Sequence, residues 1–146
     1  MTASVSPADI DEQNHVNNTV YLRWVQDVAT AHWKALASAD AQAAIGWIVL
    51  RHEIDYKSPA ALGDEILLRT WVGVASRLKF ERFTEIRRRI DPPKSASRTD
   101  SSFGEDGSDV ADTQLLSQAR TLWVPIDVRT GKPTRVSVEV REKFAV

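Results

Sequence analysis

One segment with helical spacing, followed by several strand-like segments, most constrains the fold of this chain. After Asn18, apolar and aromatic side chains, joined by one histidine, recur in steps of three and four: Tyr21, Trp24, Val25, Val28, His32 and Ala35. This spacing predicts a helix over roughly 18–39. Asn17 or Asn18 is a suitable N-cap, because a short side-chain oxygen can accept from the free amides of the first turn.

The chain after this helix favours β-structure. Stretches rich in β-branched, aromatic or alternating residues predict four long strands, over 45–56, 65–76, 78–90 and 114–128. Residues 2–7 predict a short first strand, and 137–144 a short closing helix. The predicted fold class is α+β, with one long helix before an antiparallel meander. One helix covers only part of one sheet face, so the remaining apolar face and the free edges favour self-association.

The chain length of 146 residues predicts a single domain over 1–146. Residues 91–112 are dominated by Ser, Asp, Gly and Pro, with Phe103 as the one large aromatic side chain. Such a segment buries too little apolar surface to offset the entropy of ordering it. We therefore predict a flexible hairpin insertion at 91–112.

Composition narrows the classes of partner and site. The 19 basic and 20 acidic side chains give a formal net charge of -1, which does not favour nucleic acid or an anionic membrane as a partner. The lack of cysteine excludes disulfides, thiolate metal sites and cysteine nucleophiles. Three histidines without ligand spacing predict no metal site. The first residues show no signal-peptide pattern and no apolar stretch approaches a membrane span, so we expect a cytoplasmic protein.

The loop before the helix, DEQNHVNN over 11–18, concentrates hydrogen-bonding groups. It can be a turn with a helix cap, which is what an aspartate at such a position usually forms. It can also be an acid/base site, because the free amides of a first helical turn lie at the positive end of the helix dipole. The backbone amide of Asn18, with Asn17 nearby, is the candidate donor to an oxyanion. The residues alone leave both interpretations open.

The block DIDEQNHVNNTVYLRW over 9–24 resembles the signature of the hotdog-fold acyl thioesterases, the 4-hydroxybenzoyl-CoA thioesterase-like group that includes acyl-acyl-carrier-protein thioesterases. The matching positions are Asp9, Asp11, Asn14, His15, Val16, Asn17, Asn18 and Tyr21. Weaker similarity over 54–72 and 131–137 extends the resemblance to most of the chain outside the insertion. It implies a hotdog fold, a curved antiparallel sheet wrapped around one long central helix, in a homodimer that often pairs into a homotetramer.

The resemblance also implies an activity, namely hydrolysis of acyl-CoA or acyl-carrier-protein thioesters without a cofactor. Asp11 matches the position of the base or nucleophile. His15 would orient water or Asp11, or hold the thioester, and Gln13 would position water. Gln13 departs from the Asn of the plant carrier-protein thioesterases, and this departure favours the alternative of a non-catalytic acyl-thioester-binding or scaffold module.

Two further predictions concern the substrate. The walls for an acyl chain are expected from Tyr21, Trp24 and Val28 on the helix, together with a partner chain. A set of basic residues could bind the phosphates of coenzyme A: Arg77, Lys79, Arg82, Arg87, Arg88 and Arg89. Alternating strand residues point to opposite faces, so these cations cannot form one patch within a chain, and solvated strand edges explain them equally well. For His32 and His52 we expect structural roles.

Overall fold

The computed structural model describes residues 1–76, 78–90 and 112–144. The predicted insertion therefore lies outside the described residues, except for Asp112, whose carbonyl accepts from the amide of Ile90 at 2.8 Å. The single-domain organisation stays a prediction. Among the described helices, none combines the length and hydropathy needed to cross a bilayer.

The order of helices and strands follows the sequence prediction closely. The elements are β1 (Thr2–Ser4), a 3-10 turn (Pro7–Asp9), α1 (Asn18–Leu36), α2 (Ala39–Ala44), β2 (Ile45–Tyr56), β3 (Glu65–Ala75), β4 (Phe80–Arg89), β5 (Thr113–Asp127) and α3 (Val138–Phe144). The long helix ends three residues earlier than predicted. The hydroxyl of Ser38 accepts from the amide of Ala41 at 3.1 Å and starts the separate helix α2, so the chain turns instead of extending α1.

The five strands form one antiparallel sheet in the order β1-β3-β4-β5-β2. The predicted meander is therefore wrong for β2, which pairs with β5 and not with β3. The amides of Lys57 and Ser58 both donate to the carbonyl of Leu116, at 2.8 and 3.1 Å, and so prolong the pairing of β2 with β5. The chain then crosses to the other side of the sheet. Gly63, at φ 90°, supplies the turn into β3, a conformation that side-chain-bearing residues rarely adopt.

The sheet curls around α1, which confirms the predicted hotdog architecture. The buried face of α1 carries Val20, Tyr21, Trp24, Val25, Val28 and Ala29. It contacts buried strand residues that include Ile66, Leu68, Ile86, Leu116 and Ala119. Burying this much apolar surface is the dominant favourable contribution to folding. The polar N-terminus of α1 consequently has a fixed position relative to the sheet.

A second, smaller core closes the far end of α1. The predicted tail helix is present as α3, and its Val140 and Phe144 pack with Val136, together with Trp33, Trp47 and Phe80. The rings of Trp33 and Phe144 stack with centroids 5.6 Å apart. The two ends of α1 therefore differ in character, with a polar loop at the N-terminus and an aromatic cluster near the C-terminus.

Candidate active site at the N-terminus of the long helix

The loop before α1 is held by backbone hydrogen bonds to the connection between β2 and β3 and to the 3-10 turn. Ile10 and Val16 form an isolated antiparallel bridge that closes the loop upon itself. The amide of Val16 donates to the carbonyl of Ala60 at 3.0 Å, and the amide of Asn17 donates to the carbonyl of Asp9 at 2.8 Å. Because Val16 is also buried, the loop has a defined position although most of its side chains are exposed.

Asp11 lies at the centre of this loop. Its Oδ1 accepts from the backbone amides of Gln13 at 2.9 Å and His15 at 3.2 Å. Asn14 adopts a φ of 66°, a left-handed conformation that asparagine tolerates better than most residues. Oδ2 of Asp11 has no hydrogen bond to any described residue, and the side chain is partly exposed. One oxygen of the carboxylate thus fixes its orientation while the other stays available to water or substrate.

The N-cap of α1 is Asn17. Its Oδ1 accepts from the amide of Thr19 at 3.0 Å and from the Thr19 hydroxyl at 3.0 Å, while the amide of Val20 donates to the Asn17 carbonyl at 2.9 Å. The amide of Asn18 has no acceptor among the residues that the structure describes. The prediction of a capping asparagine is confirmed, and the Asn18 amide is free to donate to an added oxygen at the positive end of the helix.

The side chains of Gln13 and His15 reach towards solvent. Both residues are exposed, and their hydrogen bonds to Asp11 come from the backbone. In the single chain these side chains contact neither the carboxylate nor the helix cap by a hydrogen bond. Their predicted roles in positioning water, Asp11 or the thioester therefore stay predictions.

Asp9 closes the 3-10 turn that precedes the loop. It is buried, its Oδ2 accepts from the Ser6 amide at 2.9 Å, and its Oδ1 accepts from Arg23 at 3.1 Å. The Ser6 amide and the Arg23 guanidinium lower the pKa of Asp9, against the opposing effect of burial. Ser6 and Asp9 form a capping box around the 3-10 turn, so the Ser-x-x-Asp spacing was the usable sequence signal.

The helix residues predicted to contact an acyl chain lie in the core. Tyr21, Trp24 and Val28 are 2%, 2% and 4% exposed, and the Tyr21 hydroxyl accepts from the amide of Ala60 at 2.8 Å. This burial disfavours direct contact with substrate, and the role stays a prediction.

Tyr56 was not anticipated: it is 46% exposed and its hydroxyl donates to the carbonyl of Asn18 at 3.2 Å. No local pattern identifies a contact between residues so far apart in sequence.

The basic residues of β4 do not form one patch. Arg87, Arg88 and Arg89 pair with carboxylates, at 3.1 Å from Glu85, 3.2 Å from Asp64 and 3.0 Å from Glu65. Arg77 lies outside the described residues. Arg82 is buried, so the expectation of a solvated strand edge is wrong for this residue.

Within the described parts of the chain, no group of three or more His, Cys, Asp or Glu residues is placed to hold a metal ion.

A sheet curled around one long helix, with a capped polar loop at the helix N-terminus, defines a protein of the hotdog class. The chain belongs to the Thioesterase-like superfamily, whose family model matches residues 5–144. This membership supports thioester hydrolysis as the general activity. The chain has no significant match among curated protein sequences.

Solved structures show the same fold at low sequence identity. A thioesterase from Thermus thermophilus, complexed with coenzyme A and Zn, is 17% identical with a TM-score of 0.74, covering 99% of this chain and 89% of that one. A 1,4-dihydroxy-2-naphthoyl-CoA thioesterase from Synechocystis is 20% identical with a TM-score of 0.68, covering 99% and 93%. A mutant 4-hydroxybenzoyl CoA thioesterase, complexed with 4-hydroxybenzoyl CoA, is 15% identical with a TM-score of 0.77, covering 99% and 96%.

Proposed function

We propose that this protein hydrolyses acyl thioesters of coenzyme A or of acyl-carrier protein, with Asp11 as the general base or nucleophile. The observation that carries the proposal is the carboxylate of Asp11, oriented through Oδ1 by two backbone amides and open at Oδ2. It lies in the loop that leads into the N-terminus of α1. Structures of similar fold have been determined with coenzyme A and with a coenzyme A thioester, which supports the same carrier here.

The Asn18 amide is the proposed donor to the oxyanion. Hydrolysis places negative charge on the thioester oxygen, and an oriented amide at a helix N-terminus stabilises that charge without reorganising. Asn17 holds the first turn in place through its cap. The side chains of His15 and Gln13 are proposed to bind and orient the attacking water. The active unit is proposed to be a homodimer or homotetramer, because the exposed loop needs a second wall to exclude solvent.

Replacement of Asp11 by Asn tests the proposal. The amide oxygen can still accept from the Gln13 and His15 amides, so the fold should be retained, but the negative charge is lost. We expect kcat to fall by roughly a hundredfold or more, the scale of losing general base catalysis, with little change in KM. Free thiol release is measured with acyl-CoAs of several lengths, aromatic acyl-CoAs and acyl-carrier-protein substrates. Glu12→Gln is the matched control, because Glu12 is an exposed carboxylate in the same loop.

A non-catalytic acyl-thioester-binding module is the second candidate. The observation that favours it is that Asp11 receives its hydrogen bonds from backbone amides alone, as an aspartate does when it only closes a turn. This candidate predicts acyl-CoA binding by calorimetry without thiol release. If Asp11→Asn melts early and hydrolyses at the parent rate, Asp11 is a turn residue and the catalytic proposal fails.

A further inference from the structure

A cavity lies near the C-terminal end of α1, between that helix, α3 and one end of the sheet. It is a pocket with an open side, and its volume of about 600 Å³ includes space that is open to solvent. Its lining is largely aromatic, with Trp33, Trp47, Phe80, Trp123 and Phe144. Trp33 is fifteen residues along α1 from Asn18, or about 22 Å at the helical rise per residue. A small ligand in this cavity therefore does not reach the candidate loop of the same chain.

Arg82 brings a buried positive charge to the cavity lining. The residue is 8% exposed, and both of its hydrogen bonds to described residues come from Nη1, at 2.9 Å to Nδ1 of His32 and 3.1 Å to Oγ1 of Thr70. Burial lowers the pKa of Arg82 to about 10, so the guanidinium stays charged at neutral pH. No carboxylate of the described chain forms an ion pair with it. A buried cation without a counter-ion is unfavourable unless something else supplies the negative charge.

The acidic residue that is next to Arg82 in sequence does not supply that charge. Glu81 precedes Arg82 on β4, and alternation along the strand places the two side chains on opposite faces of the sheet. The carboxylate of Glu81 is bonded to Arg120 and to the amide of Val74. Although Glu81 contributes to the cavity lining, its charge is already paired on the other face.

Two further donors in the lining have no acceptor. The indole Nε1 atoms of Trp47 and Trp123 are buried and have no hydrogen-bond partner among the described residues. A buried N–H group without an acceptor is rare in folded proteins and costs free energy. The cavity thus combines apolar aromatic walls with a cation and two unused donors. An occupant that complements all three features has a negatively charged, oxygen-bearing end and an apolar body.

We propose that this cavity binds a free apolar monocarboxylic acid, whose carboxylate accepts from Arg82 and whose hydrocarbon or aryl body lies between the aromatic rings. A carboxylate matches the planar guanidinium and can accept two parallel hydrogen bonds. It also offers further lone pairs to the indole N–H groups. The site is separate from the Asp11 loop and does not depend on thioester hydrolysis.

Calorimetric titration of the full chain with octanoate and with phenylacetate tests this site, beside the uncharged octanamide and phenylacetamide. We expect the acids to bind one per chain and at least about tenfold more tightly than their amides, because the amide loses the charge-assisted bonds. Tryptophan fluorescence should change on binding, since three of the lining residues are tryptophans. N-acetyl-alanyl-phenylalanine represents the C-terminal carboxylate of a protein partner. Tighter binding of this peptide than of the free acids overturns the proposal in favour of a protein ligand.

A matched pair of variants assigns the binding to Arg82. Arg82→Met and Arg120→Met each remove one guanidinium from the sheet, but Arg120 pairs with Glu81 on the opposite face. Octanoate binding should be lost in the first variant and retained in the second. If Arg82→Met does not fold by circular dichroism, Trp123→Phe keeps an aromatic ring but removes the indole N–H donor, and it should weaken octanoate binding severalfold more than octanamide binding.

Three outcomes contradict the carboxylate site: equal affinity for acids and amides, equal loss of binding in both arginine variants, or no binding of either acid. Asp11→Asn separates this site from the proposed activity. It should lower thiol release by roughly a hundredfold or more and leave octanoate binding as in the parent. If the parent binds octanoate but releases no thiol, only the catalytic proposal for Asp11 fails. If the parent hydrolyses thioesters but binds no acid, only the proposed site at Arg82 fails.

Discussion

Nη1 of Arg82 on β4 lies 2.9 Å from Nδ1 of His32 on α1. A guanidinium only donates hydrogen bonds, so Nδ1 accepts and the imidazole is neutral. Burial, and then the charge of Arg82, lower the pKa of His32. His52, whose Nδ1 lies 2.9 Å from Oγ1 of Thr121, also has its pKa lowered by burial. One imidazole on α1 and one on β2 therefore resist protonation.

These histidines predict that the protein loses stability in mild acid. In the unfolded chain both imidazoles titrate near about 6.5, whereas in the folded chain they titrate lower, so the unfolded state binds more protons between the two values. The stability that the two neutral imidazoles contribute is fully present above about pH 6.5. It is lost as the pH falls through the pKa values that these imidazoles have in the folded chain. His32→Asn keeps an acceptor for Arg82, and it should reduce the slope of melting temperature against pH between about 5 and 6.5. The slope from pH 7 to 8 should match the parent, and an unchanged acid slope would contradict the assignment.

We expect the protein to lose much stability when the hydroxyl of Tyr21 is removed. This hydroxyl accepts from the amide of Ala60 in the core, and burial raises the pKa of Tyr21, so the phenol stays neutral. Tyr21→Phe leaves a buried N–H without an acceptor, which costs about 1–3 kcal/mol of unfolding free energy. Denaturant melts measure this loss. Tyr56→Phe removes a hydroxyl that is bonded at the exposed surface, and it should change stability by less than about 0.5 kcal/mol.

The cap at Asn17 predicts a moderate loss of stability. Asn17→Ala removes the oxygen that accepts from the Thr19 amide and hydroxyl, and it should cost about 1 kcal/mol. Asn18→Ala keeps the backbone amide and should cost less, because its exposed side chain makes no hydrogen bond to a described residue. If both variants melt alike, Asn17 does not act as the cap.

Periodicity predicted the elements of this fold because each depends on local spacing. The steps of three and four from Tyr21 to Val28 give one buried face of α1, and the alternation over 80–89 gives β4. Strand order does not follow from spacing, since the pairing of β2 with β5 depends on a connection whose destination no local pattern specifies. The meander prediction was wrong for this reason. The curled sheet was predicted by family resemblance.

Some features of the candidate site could likewise be predicted from local sequence, and others could not. The cap at Asn17 and the position of the Asp11 loop follow from residues close together in sequence. The hydrogen bonds of Tyr56 to Asn18 and of Arg82 to His32 join residues 38 and 50 positions apart. Arg82 was misread because alternation gives two faces of a strand but does not tell which one is buried. The fold turns the face that carries Phe80, Arg82 and Thr84 towards α1, so neither a phosphate site on the surface nor a solvated edge describes Arg82.

The free edge of β2 predicts association of two chains through this strand. Among the described residues β2 pairs on one side only, with β5, and it carries Ile48 and Leu50 at 46% and 55% exposure. A long apolar edge is a template for pairing with another strand. Replacing both residues by Lys should weaken association at least about tenfold, through lost apolar burial and like-charge repulsion. Light scattering across a dilution series measures the change, with Val74→Lys as control, because Val74 is 76% exposed on a different strand. A parent protein that stays monomeric at every concentration would contradict both the edge pairing and the proposed second wall of the Asp11 site.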